Sequence, residues 1–254
     1  MSALNHPYRH WFVHVPKTAG TAMERMPFVG GQAHRTARQL APRAPADYFG
    51  WGFVRNPYDR LVACFHAAQQ HAPGRYFPAS MGFAEWIRGL PGTGAGFIHP
   101  RPMVDFLCWP DGSLAVDFVG RYEHLAGDWR IVCRRIGVEH QPLRHLNASA
   151  HRDWREYYTD DLAAHVAELY AADFDTFGYS KEISSPRRQD AKGNGRDHRI
   201  TRMVQGLFPR CVGPWPLWNF RPVGPLSSPS CNPVQSLSLC VLAPWRDHPP
   251  KDSP

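Results

Sequence analysis

The chain has 254 residues, 43% hydrophobic and 13% aromatic, enough to bury one large core or two small ones. Its +7 charge is unevenly placed: residues 1–182 carry 19 Lys+Arg against 18 Asp+Glu, and residues 183–254 carry 10 against 4. The basicity therefore sits in the tail, and residues 1–182 lack the run of Lys/Arg with interleaved aromatics that a nucleic-acid face needs. The six cysteines show no C-x-x-C pair and no paired spacing with His, which argues against a zinc site or a disulfide scaffold and for a reducing compartment.

Residues 1–10 are polar and lead directly into an apolar run, so the expectation is a cytoplasmic protein with no signal peptide and no transmembrane segment. The run Trp11, Phe12, Val13 and Val15 reads as a strand. Pro16 cannot donate to a sheet ladder and ends it, and residues 18–26 can wind into a helix before Pro27. Between them lies His14-Val15-Pro16-Lys17-Thr18-Ala19-Gly20-Thr21-Ala22, a strand, loop and helix start. Free N–H groups at the helix start, a mobile Lys17 charge and two threonine hydroxyls would cradle a phosphate or phosphosulfate, with Gly20 letting the ligand approach the backbone. The loop is not a Walker A motif, because Lys17 precedes Gly20. A nucleotide kinase is thereby disfavoured.

Residues 30–38 form a turn and a polar, helix-compatible stretch expected to be mostly exposed. A second strand over residues 48–54 delivers Arg55, and a helix starts at once: Asn56 suits the N-cap, Pro57 the first helical position and Asp59 the first turn. Arg55 thus projects from the carboxyl end of a strand, the edge where open α/β sheets bind ligands, and offers a planar fork for phosphate. The helix runs to about His71, with Leu61, Val62, Phe65 and Ala68 on its buried side. Phe83, Trp86, Ile87 and Leu90 recur at helical spacing as core. The Gly-rich residues 91–96 read as a mobile loop over an acceptor site.

Residues 104–107 and 114–119 flank a Pro110-Asp111-Gly112 turn and read as a hairpin or edge feature. Arg121 follows the second of these strands, where it either touches nucleotide or pairs with a carboxylate such as Glu123. Leu125, Trp129, Val132, Cys133 and Ile136 give a helix capped by Gly137, and Thr159 caps a last helix with its stripe at Leu162, Val166, Leu169 and Tyr170. The folded domain is expected over residues 1–183. Residues 184–254 are interrupted by prolines throughout and read as a disordered tail, either a frameshifted or read-through extension or a Pro-rich partner-binding segment.

Together, H-V-P-K-T-A-G-T and F-V-R-N-P-Y-D-R-L-V resemble the two nucleotide-binding motifs of sulfotransferases, specifically the family-2 carbohydrate sulfotransferases and their bacterial relatives. The resemblance continues through Val116-Asp117-Phe118-Val119-Gly120-Arg121-Tyr122-Glu123, His145-Leu146-Asn147, Asp173-Phe174 and Phe177-Gly178-Tyr179, over about residues 8–182. It implies an α/β fold of three layers with a P-loop-like site and a mostly parallel central sheet. It also implies 3′-phosphoadenosine 5′-phosphosulfate (PAPS) as sulfuryl donor and a glycan or glycolipid as acceptor. Residues 17–22 (Lys17, Thr18, Ala19, Gly20, Thr21, Ala22) would bind the 5′-phosphosulfate and Arg55 the 3′-phosphate, with Lys17 stabilising charge during transfer. His34 would be the general base, with His99 and His145 as substitutes. One position departs from the family: Ala63 stands where the second motif usually carries a Ser for the 3′-phosphate. That leaves as an alternative a degenerate module that binds PAPS or glycan without turnover.

Overall fold

A computed structural model of the chain describes residues 4–31, 34–90, 97–144 and 152–183; the tail, residues 91–96 and His145 lie outside the described residues. Four strands form one sheet in the order β1 (Leu4–Asn5), β2 (His10–Val13), β3 (Phe49–Val54) and β4 (Phe118–Arg121). The short β1 pairs antiparallel with β2, and β2, β3 and β4 are mutually parallel, with Val13 opposite Gly52 and Val54 opposite Arg121. The class is α/β with a mostly parallel central sheet, as the sequence predicts.

Strand alternation sorts the core into two faces. Trp11, Val13 and Val54 point to one side, where they meet α2 (Ala37–Leu40), α5 (Val104–Leu107) and Phe177 of α8 (Ala171–Phe177). Phe12, Trp51 and Phe53 point to the other, against Met23 of α1 (Gly20–Glu24) and Trp129, Val132, Cys133 and Ile136 of α6 (Leu125–Ile136). This period of two along each strand gives helix, sheet and helix layers. A third cluster surrounds α3 (Pro57–His71), packing Leu61, Val62 and Phe65 against Phe83, Trp86 and Ile87 of α4 (Phe83–Arg88) and Leu162 and Val166 of α7 (Asp160–Leu169). Cys64, Cys108 and Cys133 are free and buried.

The caps act where the sequence places them. Asn56 accepts from the Tyr58 N–H at 3.0 Å, Thr159 from the Leu162 N–H at 3.4 Å, and Gly137 closes α6 at φ +75°. Three expectations are corrected. The first helix spans only Gly20–Glu24. Of the described residues between 30 and 38 only Arg35 and Arg38 are exposed, and Thr36, which caps α2, and Ala37 are buried. Residues 104–107 are the helix α5 and not one arm of a hairpin. Its first N–H groups are held from a distance in sequence: the buried Asp173 carboxylate accepts from Met103 N and Val104 N, both at 2.9 Å. The hairpin feature survives in short form across the 110–112 turn, where Cys108 and Leu114 make an antiparallel bridge and Trp109 N donates to the Ser113 carbonyl and Ala115 N to the Leu107 carbonyl, both at 2.8 Å.

Candidate active site

The parallel strands β2 and β3 both end, at their carboxyl edges, beneath a single cavity of about 930 Å³. That volume lies in the range of pockets that enclose most of a nucleotide-sized ligand. The loop after β2 supplies one wall. Lys17 and Ala19 both adopt φ +68° while Thr18 between them does not, and backbone of alternating hand turns successive N–H groups to one side, a concavity suited to an anion. Holding two non-glycine residues in the left-handed region costs about 1–2 kcal/mol each. The Thr18 hydroxyl helps fix the loop, donating to the Val15 carbonyl at 2.9 Å. It is fully buried and does not line the cavity, whereas Lys17, Ala19, Gly20, Thr21 and Ala22 do.

Within α1, Ala22 N and Met23 N bond to the Ala19 carbonyl; the N–H groups of Gly20 and Thr21 have no backbone acceptor among the described residues. Because α1 has five residues, the attraction for an anion comes from these N–H groups and Lys17 more than from a helix dipole. Burial pulls the Lys17 ammonium below the ordinary lysine value, the charge of Cys64 opposes this and that of Arg55 adds to it. Since burial also pushes the Cys64 thiol up, that opposing charge is missing at neutral pH.

Gly20 lines the cavity and also meets a structural demand: a Cβ there would sit 2.1 Å from Cδ2 and 2.3 Å from Nε2 of His14, so the side on which a side chain would stand is already filled. His14 is buried, and its Nδ1 lies 2.9 Å from Glu24 Oε1 at the far end of α1. The His14 carbonyl in turn fixes His34, whose Nδ1 lies 3.0 Å from it. A carbonyl only accepts, so Nδ1 carries the proton and the lone pair of neutral His34 is on Nε2. Burial, followed by the charge of His14, lowers the His34 pKa from its ordinary value. His99 stands edge-on to His34 at 5.2 Å between ring centres, and burial first, then His34, pushes its pKa down to about 4. His14, His34 and His99 all line the cavity.

The second wall begins where β3 ends. Arg55 makes a bidentate pair with Asp59, Nε and Nη2 donating at 2.8 and 2.7 Å. Nη1 reaches the Lys17 carbonyl at 3.3 Å, and the guanidinium lies 4.1 Å above the Tyr122 ring. One arginine thereby ties the two sequence motifs together. Ala63, one and a half turns into α3, shares the cavity wall with Arg55. Arg121 is placed elsewhere. Its guanidinium donates to the carbonyls of Phe177 and Gly178 and covers the Tyr179 ring at 4.5 Å, outside the cavity lining, and among the described residues it makes no ion pair with Glu123. Glu123 instead accepts from Asn56 N at 2.6 Å and from the Tyr179 hydroxyl at 2.9 Å.

The profile of the Sulfotransferase family matches residues 4–180. The chain belongs to the sulfotransferase family. Among solved structures, a sulfotransferase from Alicyclobacillus acidocaldarius is 18% identical, with 70% of this chain and 82% of that chain covered at a TM-score of 0.35. No curated protein matches the chain.

This sulfotransferase therefore gathers Lys17, Gly20, Thr21, Ala22, Arg55 and His34 around one cavity and leaves Thr18 and Arg121 out of its lining. Sequence reasoning missed His14 with Glu24, and Tyr122 beneath Arg55. Only the i,i+4 spacing of Arg55 and Asp59 carried a readable signal. It also missed Arg60, fully buried, which clamps the backbone next to His99: Nη1 donates to the His99 carbonyl at 2.8 Å and Nη2 to the Arg101 carbonyl at 2.9 Å, while Asp173 lies 3.8 Å away. No helix among the described residues is long and apolar enough to cross a membrane.

Proposed function

We propose that this sulfotransferase moves a sulfuryl group from PAPS to a hydroxyl or amine, on a glycan or glycolipid by family resemblance. The supporting observation is the convergence on one cavity of the Lys17 loop, Arg55 and His34, whose Nδ1 is held by the His14 carbonyl. PAPS fits the residues present: Lys17 and the N–H groups of Gly20 and Thr21 would hold its 5′-phosphosulfate, and Arg55 its 3′-phosphate. The donor supplies an activated sulfuryl group on a phosphate leaving group. His34 Nε2 accepts the acceptor's proton as the acceptor oxygen bonds to sulfur. The bond from sulfur to the bridging oxygen breaks, and its electron pair stays with adenosine 3′,5′-bisphosphate. Lys17 stabilises the charge that grows on the bridging oxygen. Residues 1–183 form the catalytic domain and residues 184–254 a dispensable tail, in a cytoplasmic enzyme.

One observation favours a second reading. Ala63 presents a methyl group to the cavity where the family motif usually has a hydroxyl, which suits a module that binds PAPS without turnover. Calorimetric binding of adenosine 3′,5′-bisphosphate together with transfer from sulfur-labelled PAPS across an acceptor panel separates the two. Binding with transfer supports the enzyme, binding without transfer supports the module, and loss of both refutes the donor assignment.

A further inference from the structure

His14 acts on His34 twice, through its backbone and through its ring. Its side chain continues the alternation of β2 and falls on the same face as Phe12, on which it stacks at 5.9 Å with the planes 20° apart. Gly20 and Glu24, at i and i+4 on one face of α1, complete its surroundings. The ring fills the space beside Gly20, and Glu24 Oε1 lies 2.9 Å from its Nδ1, the two side chains being only 9% and 21% exposed. A carboxylate accepts, so Nδ1 carries a proton and the ring cannot turn over without losing that bond.

Through the backbone, the His14 carbonyl takes the Nδ1 proton of His34 at 3.0 Å. Through the ring, His14 stands 4.4 Å from His34 between centres, with the planes at 59°. His34 is faced by His14 after β2, Glu24 on α1, Lys17 in the loop and His99 before α5. Burial lowers the His34 pKa most and the charge of His14 lowers it further; the backbone bond to His14 and the charge of Glu24 raise it, and Lys17 lowers it. His99, pushed down to about 4, stays neutral near neutral pH and adds no charge. Imidazole and carboxylate thus oppose each other at His34, and charges this close and this poorly hydrated are weakly screened.

Resting on the reading of His34 as the general base, we infer that His14, held by Glu24, is a positioning residue for that base. Its carbonyl selects the Nδ1–H form of His34, which leaves the lone pair on Nε2 for the acceptor's proton. Its ring engages the Glu24 carboxylate, which would otherwise favour His34 as an imidazolium with no lone pair to offer.

The test is nuclear magnetic resonance of the ligand-free full chain with labelled histidine, in which the His34 signals are those that vanish in His34→Asn. It needs neither donor nor acceptor, so its outcome is separate from that of the transfer assays that test His34 as the base. In the wild-type chain, with no variant required, the neutral His34 ring should carry its proton on Nδ1. His14→Asn keeps the carbonyl and removes the imidazole; the His34 titration midpoint should rise, because Glu24 then acts unopposed. Adding Glu24→Gln should bring the midpoint back down toward the wild-type value. Transfer should follow, its loss on the acid side moving to higher pH in His14→Asn and back in the double variant. A neutral wild-type His34 protonated on Nε2 overturns the inference. So does a midpoint that stays or falls in His14→Asn, or one that the second substitution fails to lower.

Discussion

Ala63→Ser restores a hydroxyl at the one position where the second motif departs from its family. Ala63 is 1% exposed and lines the cavity with Arg55, so a serine there would face the ligand and not bulk water. A hydrogen bond to a charged phosphate contributes about 1.5–3 kcal/mol. Against this, without ligand the hydroxyl can bond back to the carbonyl four residues earlier in α3, an alternative that is given up on binding. Allowing about 1 kcal/mol for that exchange leaves roughly 0.5–2 kcal/mol, or about two- to thirtyfold tighter PAPS. Calorimetry with adenosine 3′,5′-bisphosphate reads the gain directly. Adenosine 5′-phosphosulfate, which lacks the 3′-phosphate, is the control and should show no change. Equal gains for both nucleotides, or none for either, would refute the placement of the 3′-phosphate beside α3.

His34→Asn should leave bisphosphate binding nearly intact and cut transfer by about 100-fold or more. In the unsubstituted protein, transfer should fall as the pH drops through a His34 pKa that burial holds below 6.5, because the protonated ring has no lone pair to offer; an unchanged pH profile in the variant would move the base to another residue. Gly20→Ala drives a methyl group into the buried His14 ring and should cost about 1–3 kcal/mol, lowering Tm by several degrees. Adding His14→Ala should recover most of that loss, and no recovery would mean that His14 is not what Gly20 accommodates. A chain ending at Ser185 should melt and turn over like the full one, whereas a large fall in Tm would show that the tail supports the fold.

The sequence made the fold legible wherever the determinants were local. The apolar run ending at Pro16, the Asn56-Pro57-Asp59 helix start, the stripe of α6 and the Gly137 cap all stand where periodicity and capping put them. It misled where a distant group decided the outcome: α5 is a helix because the Asp173 carboxylate, about seventy positions later, takes its first N–H groups. The candidate site divides the same way. Lys17 and Arg55 from the two motifs, and His34 from between them, line one cavity, but one-dimensional spacing carries no sign of the His14 ring beside Gly20 or of Tyr122 beneath Arg55. Arg121 shows the converse. It follows a strand end just as Arg55 does, yet the carbonyls closing α8 take its guanidinium. A strand-terminal arginine marks an edge, and its packing partners settle which way it turns.

Sulfuryl transfer driven by the Lys17 charge is the central claim, and the most direct test is to compare kcat for transfer from PAPS with the Kd for adenosine 3′,5′-bisphosphate in the wild-type chain and in Lys17→Ala. Because the ammonium acts mainly on charge that develops as the S–O bond breaks, its loss should lower kcat by about 100-fold or more while Kd rises by a much smaller factor. Small and equal changes in kcat and Kd would contradict the assignment of this loop to the transferring group.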